Sequence, residues 1–208
     1  MTNKPPYKFF TKVFIVLFIV GLNLNAYAQV FEKEALDTIK TLTLEQALKK
    51  DPLQVYKLSL KKRKLKEFPE ELYQFKNLQV LDLSKNKIRY FPRKITVFKY
   101  LQKLDFSSNK LPSIPKEIGE LVNLKELILS QNELTALPPE IGRLIHLEFL
   151  DVWGNDIGFL PTQISALKKT LKEIDMRVIL MSNDEHKKIQ ELLPDTKIHF
   201  SKSCNCGF

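Results

Sequence analysis

Apolar residues recur along the middle of this chain with a period that neither a helix nor a strand produces alone. Leu78, Leu101, Leu124 and Leu147 each open a unit of 23 residues, and the fourth, sixth, eleventh, fourteenth, eighteenth and twenty-first places of every unit are apolar. In the first unit these are Leu81, Leu83, Ile88, Phe91, Ile95 and Phe98; in the fourth, Leu150, Val152, Ile157, Leu160, Ile164 and Leu167. Two further places are fixed by type: asparagine holds the ninth (Asn86, Asn109, Asn132, Asn155) and proline the fifteenth (Pro92, Pro115, Pro138, Pro161). The alternation at the fourth and sixth places predicts a short strand with one side turned inward. Asparagine suits the bend that follows, because its amide both donates to and accepts from peptide groups that a turn leaves unpaired. Proline sets its own φ and has no N–H to satisfy, so it begins a return leg without a second strand. One such unit cannot cover its own apolar edge, and the core must come from stacking.

These units resemble leucine-rich repeats, whose pattern is L-x-x-L-x-L-x-x-N-x-L-x-x-L-P-x-x-I-x-x-L. The resemblance implies an α/β solenoid: a curved right-handed horseshoe with parallel strands on its concave face, short helical or irregular legs on its convex face, and helical caps at both ends. The repeat domain is expected over 55–181 in about six units, at 55–77, 78–100, 101–123, 124–146, 147–170 and, in part, 171–181. The first unit keeps the apolar register but has Arg63 at the asparagine place, and the last has Ile179 there with no proline in register, so the repeat is expected to stop. Before it, 29–54 reads as an N-terminal cap: Phe31, Ala35 and Ile39 are spaced for one helical face, and Thr43 with Gln46 forms a capping box. After it, 182–200 reads as a C-terminal cap, with a capping box at Ser182 and Glu185, an apolar stripe at Ile189, Leu192 and Leu193, and a last short strand around Ile198 and Phe200; 201–208 is a tail.

The first 28 residues change the picture from a cytosolic to an exported protein. Lys4, Lys8 and Lys12 precede an apolar run from Val13 to Leu24, and Ala26-Tyr27-Ala28 offers the small residues of a signal-peptidase site, with cleavage expected near Ala28. Removing this segment takes three lysines and no acids, so the formal charge falls from 33 − 24 = +9 to 30 − 24 = +6. Periplasmic, cell-surface and secreted destinations all remain open, and the composition leans toward a bacterial source.

In leucine-rich repeats the third, fifth and seventh places of each unit project from the concave face. Here the third-place row is Lys57, Val80, Lys103, Glu126, Phe149, Glu173; the fifth is Ser59, Asp82, Asp105, Ile128, Asp151, Asp175; the seventh is Lys61, Ser84, Ser107, Ser130, Trp153, Arg177. Ile128, Phe149 and Trp153 are large apolar residues on a face with no structural need of them, which marks an anchor for a partner unless the C-terminal cap folds over them. Asp82, Asp105, Asp151 and Asp175 form an acidic row that either receives a basic partner or serves the strand ends. Lys57, Lys61, Lys62, Arg63 and Lys64 make the first unit strongly basic.

The expected function is therefore non-enzymatic binding of a protein or peptide through the concave face, by a monomer. The alternative is binding of an anionic envelope glycan or lipid through the basic first unit; nucleic acid is not expected of an exported chain. His146, His186 and His199 have no nucleophile or carboxylate placed beside them by spacing, and phosphate loops and zinc spacings are absent, so no catalytic residue, metal or cofactor is assigned. Cys204 and Cys206 pair with each other, bridge two chains, or lie in an unconstrained tail. With His199 they would still lack a fourth metal ligand.

Overall fold

The computed structural model describes residues 30–179 and 181–201. The expected signal peptide over 1–28, its cleavage near Ala28, and both cysteines, Cys204 and Cys206, lie outside the described residues.

Short strands alternate with short return legs, and the strands lie side by side in chain order as one parallel sheet of seven. They are β1 (Lys57–Ser59), β2 (Val80–Asp82), β3 (Lys103–Asp105), β4 (Glu126–Ile128), β5 (Phe149–Asp151), β6 (Glu173–Met176) and β7 (Lys197–Phe200). The fourth-place residues stand opposite one another, Leu58 to Leu81 to Leu104 to Leu127 to Leu150 to Ile174, and all are fully buried. Along most strands the burial pattern is half-buried, buried, half-buried, as expected of a sheet with one side on the core and one side open. Pro69, Pro92, Pro115, Pro138 and Pro161 are extended, and each opens a 3-10 turn on the opposite side: Glu70–Gln74, Arg93–Val97, Lys116–Glu120, Pro139–Arg143 and Thr162–Leu167. This is the leucine-rich repeat solenoid, with strands on the concave face and 3-10 legs on the convex.

The ninth-place asparagines are buried and tie successive units together. Asn132 Nδ2 donates to the carbonyls of Phe106 (3.0 Å) and Leu129 (2.9 Å), while its Oδ1 accepts from the Leu111 amide at 3.0 Å. Asn109 and Asn155 repeat the arrangement, and Asn86 Oδ1 takes the Arg63 amide at 2.9 Å. Arg63 thus ends a ladder instead of breaking one. A second, shorter asparagine ladder runs at the twenty-third place, where Asn77 and Asn123 donate to Leu53 O and Lys99 O at 2.8 and 2.7 Å.

The ends differ from the sequence expectation in three respects. First, α1 (Lys33–Thr38) buries Leu36 and leaves Ala35 exposed; Phe31 packs edge-on against Tyr56, with ring centroids 5.0 Å apart. Second, a 3-10 turn (Pro52–Gln54) follows α2 (Leu44–Ala47) where the pattern signals no element: the Asp51 carboxylate caps it, accepting from the Leu53 amide at 2.9 Å. Third, the segment after β6 does not leave the sheet. Helix α3 (Asn183–Leu192) packs beside the last 3-10 leg as a return leg of its own, and β7 then pairs with β6, Ile174 opposite Ile198. The face therefore carries seven strands where the pattern counts six. At the other edge, Leu42 bridges Leu58 and closes β1.

The eighth place of every unit has a left-handed backbone: Lys62, Lys85, Ser108, Gln131, Gly154 and Val178 have φ between 54° and 64°. This conformation aims the amide at the next unit, as in Lys85 N to Ser107 O at 2.8 Å and Gly154 N to Arg177 O at 3.0 Å. Val178 is the misfit, since a β-branched side chain crowds its backbone there, and at 63% exposure it gains nothing from burial. Val178→Asn is expected to stabilise the fold by about 1 kcal/mol and raise Tm by roughly 2–4 °C. An unchanged or lower Tm on thermal unfolding would refute the strain.

Candidate functional site

The concave face brings the candidate residues onto one surface. Phe149 lies opposite Glu126 and Asp151 opposite Ile128, so Ile128 on β4 faces the gap between Phe149 and Trp153 of the neighbouring unit, one strand spacing of about 4.8 Å away. All three are half-buried, and none belongs to the core or packs against it. The helix α3 stacks on the Thr162–Leu167 leg, on the convex side.

The aspartate row has a role in the backbone. Asp82, Asp105, Asp151 and Asp175 each accept, through Oδ1, the amide two residues on: Ser84 at 2.9 Å, Ser107 at 2.8 Å, Trp153 at 3.0 Å and Arg177 at 3.1 Å. They hold the turn that ends each strand; Asp82 Oδ2 also accepts from Ser59 Oγ at 3.1 Å, and Asp175 Oδ2 from the Arg177 guanidinium at 2.6 Å. Burial raises the carboxyls of Asp105 and Asp151 above the ordinary range, helped by the neighbouring aspartates and opposed by bonds from Ser107 and Ser130 respectively. For Asp175 burial acts in the same sense, but the Arg177 guanidinium and amide outweigh it and hold the carboxyl low. Asp105 and Asp151, half-buried beside other carboxylates, therefore favour an incoming cation.

Lys57 is not a free cation on this surface, because its Nζ donates to the Leu36 carbonyl at 3.2 Å and so ties α1 to β1. Lys61 is exposed. Lys103 pairs with Glu126 across β3 and β4, and Glu173 holds His199 at 2.7 Å. Arg177 is engaged by Asp175.

Sequence reasoning missed a cavity of about 450 Å³ between α1 and the first four strands. Lys33, Leu36, Asp37 and Thr41 form its wall, and Ser59, Val80, Asp82, Asp105 and Glu126 its floor. Its wall is set by two hydrogen bonds: Phe31 N donates to Gln79 Oε1 at 2.9 Å, and Gln102 Nε2 donates to Phe31 O at 2.7 Å. No spacing in the sequence signals that docking. Among the described residues, no group of three or more His, Cys, Asp or Glu is placed to hold a metal ion, and no helix is long and apolar enough to cross a membrane.

Comparison with known proteins agrees with this geometry. Family descriptions reading "Leucine rich repeat" match residues 99–157 and 77–96. No curated protein sequence matches the chain. Among solved structures, a leucine-rich repeat protein of Leptospira interrogans is 29% identical with a TM-score of 0.58, over 81% of this chain and 59% of that one. The leucine-rich repeat ectodomain of the Arabidopsis thaliana membrane receptor kinase GASSHO1/SCHENGEN3, solved with CASPARIAN STRIP INTEGRITY FACTOR 2, is 27% identical with a TM-score of 0.61, over 74% of this chain and 19% of that one. InlP of Listeria monocytogenes shares the fold at 20% identity and a TM-score of 0.61, over 79% of this chain and 43% of that one. The chain thus spans well under two thirds of each of these molecules.

Proposed function

This chain is a leucine-rich repeat protein, and on that premise we propose that it is an exported, non-enzymatic recognition module that binds a protein or peptide through the concave face of its strands. The observation that carries the reading is the cluster of Ile128, Phe149 and Trp153, three large apolar side chains on the open side of the sheet and outside the core. Apolar anchors surrounded by polar groups are the usual source of binding energy at protein interfaces. Asp82, Asp105 and Asp151 supply such a surround along the same row, and their charge favours a basic partner segment, while Asp175 is paired with Arg177. Seven strands give a face about 29 Å long. That length matches an extended peptide, a loop or one helix better than a whole domain. The plant ectodomain among the structural neighbours was solved with another factor bound, which accords with a binding role for this fold. Export rests on the character of residues 1–28.

The test is capture of partner from a cell-envelope extract by the chain and by Trp153→Ala. Capture is expected to fall about tenfold or more while Tm stays within about 2 °C, because the ring lies outside the core. Equal capture by both would remove the anchor, and a large drop in Tm would mean that Trp153 serves the fold.

A further inference from the structure

The basic character that composition places in the first unit is, in the structure, a grid on one edge of the solenoid that crosses three units. The tenth-place row is Lys64, Lys87 and Lys110, with Lys64 on a left-handed backbone (φ 60°) at its end. Its register is fixed by backbone bonds, Lys87 N to Leu65 O at 2.7 Å and Lys110 N to Ile88 O at 2.9 Å, so these lysines sit one strand spacing apart. At the eighth place Lys62 and Lys85 run beside it, pinned by their amides to Ser84 O and Ser107 O at 3.0 and 2.8 Å. At the twelfth place stand Lys66 and Arg89. All of these side chains are exposed, and among the described residues none forms an ion pair, although eight such pairs occur elsewhere, the last of them with a histidine. The row then changes sign, with Glu133 and Asp156 occupying the tenth place of the next two units.

We propose that this edge is a second binding site, for a linear anionic polysaccharide lying across the first three units. Parallel files of unpaired cations at about 4.8 Å intervals meet an acidic polymer with one charged group per sugar, and they meet it without rearrangement because the backbone beneath them is hydrogen-bonded in register. Tyr90 follows Arg89 on the same edge and is 73% exposed, an aromatic face on which a sugar ring stacks. A membrane surface fits less well, since Tyr90 is the sole large hydrophobic residue exposed in these three units between places eight and thirteen among the described residues. The acids at Glu133 and Asp156 end the site, so the polymer is held at one end of the solenoid and the concave face is left free.

The experiment is equilibrium binding of the full chain to heparin-derived oligosaccharide and to polygalacturonate, with vesicles of phosphatidylserine and phosphatidylcholine as a separate arm, over a range of salt. Lys64→Glu/Lys87→Glu/Lys110→Glu is expected to weaken polysaccharide binding about tenfold or more at physiological salt, where the screening length is about 8 Å. Lys116→Glu/Lys168→Glu/Lys169→Glu makes the same change in net charge on the convex side and is expected to weaken it less than about threefold. Tyr90→Ala is expected to reduce affinity for both polysaccharides without altering the salt dependence. Equal losses in the two triple variants would show a response to net charge alone and overturn the site, as would binding to vesicles with none to either polysaccharide. Trp153→Ala is expected to bind polysaccharide as the unaltered chain does, so a failure here leaves the concave-face reading standing.

Discussion

Replacing Asn132 with alanine is expected to cost about 2–3 kcal/mol and to lower Tm by roughly 7 °C. The side chain is 8% exposed, and three backbone groups bond to it: the carbonyls of Phe106 and Leu129 and the amide of Leu111. Truncation leaves the Leu111 amide buried without a partner, at about 1–3 kcal/mol, and takes one of two asparagine donors from each carbonyl, since Phe106 O keeps Asn109 Nδ2 at 2.9 Å and Leu129 O keeps Asn155 Nδ2 at 3.0 Å. Asn132→Asp keeps the acceptor but turns a charge toward two carbonyls, so it is expected to be at least as harmful. Asn123→Ala provides the comparison, because its one bond, to the Lys99 carbonyl at 2.7 Å, lies on an exposed leg that water reaches; less than half the loss is expected there. Urea titrations followed by circular dichroism measure both. A loss at Asn132 no greater than at Asn123 would mean that the ladder is a by-product of stacking.

What the sequence discloses and what it withholds divide along physical lines. The strands, the asparagine ladder and the proline-led legs are legible because burial and hydrogen-bond satisfaction constrain residue type at each place, once per 23 residues. The seventh strand is legible as a strand around Ile198 and Phe200 but not as part of the sheet, because β7 follows β6 by 24 residues and a capped helix replaces the proline-led leg. The left-handed eighth place leaves no trace either: lysine, serine, glutamine, glycine and valine all occupy it, since the hydrogen-bonded stack imposes the backbone on whatever residue stands there. On the concave face, the row positions of Ile128, Phe149 and Trp153 follow from periodicity alone. The engagement of Lys57 does not, because it depends on a helix docked by Phe31 onto Gln79 and Gln102. The aspartate row is legible only as two alternatives; the Oδ1 contacts add the strand-end role at all four, and Arg177 takes up the charge of Asp175 alone.

Gly142→Ala is expected to destabilise by about 3 kcal/mol and to weaken partner binding as well, although the residue lies on the side of the molecule away from the proposed anchor. A Cβ there would stand 2.3 Å from the Gln163 carbonyl oxygen and 2.9 Å from its carbon, and these are backbone atoms that cannot turn aside. Gly119 is in a similar position, with Glu140 O at 2.6 Å, whereas nothing lies within 4 Å of a Cβ at Gly158, whose alanine variant is expected to be neutral. The same place in the first unit holds Tyr73, whose ring stacks on Phe68 and Phe98 with centroids 5.2 and 6.1 Å apart. Rings therefore separate the legs at the amino-terminal end, and glycines let them touch backbone to backbone further on. Gly142 belongs to the unit of β4, and Gln163 to that of β5. The two units it draws together are those carrying Ile128 on one side and Phe149 with Trp153 on the other, so a methyl group that pries the legs apart tilts the anchor residues relative to one another. Thermal unfolding of Gly142→Ala beside Gly158→Ala, with partner capture measured on both, separates the cases. Matching melting temperatures would show that the legs are soft, and the close approach would then have no hold over the geometry of the face.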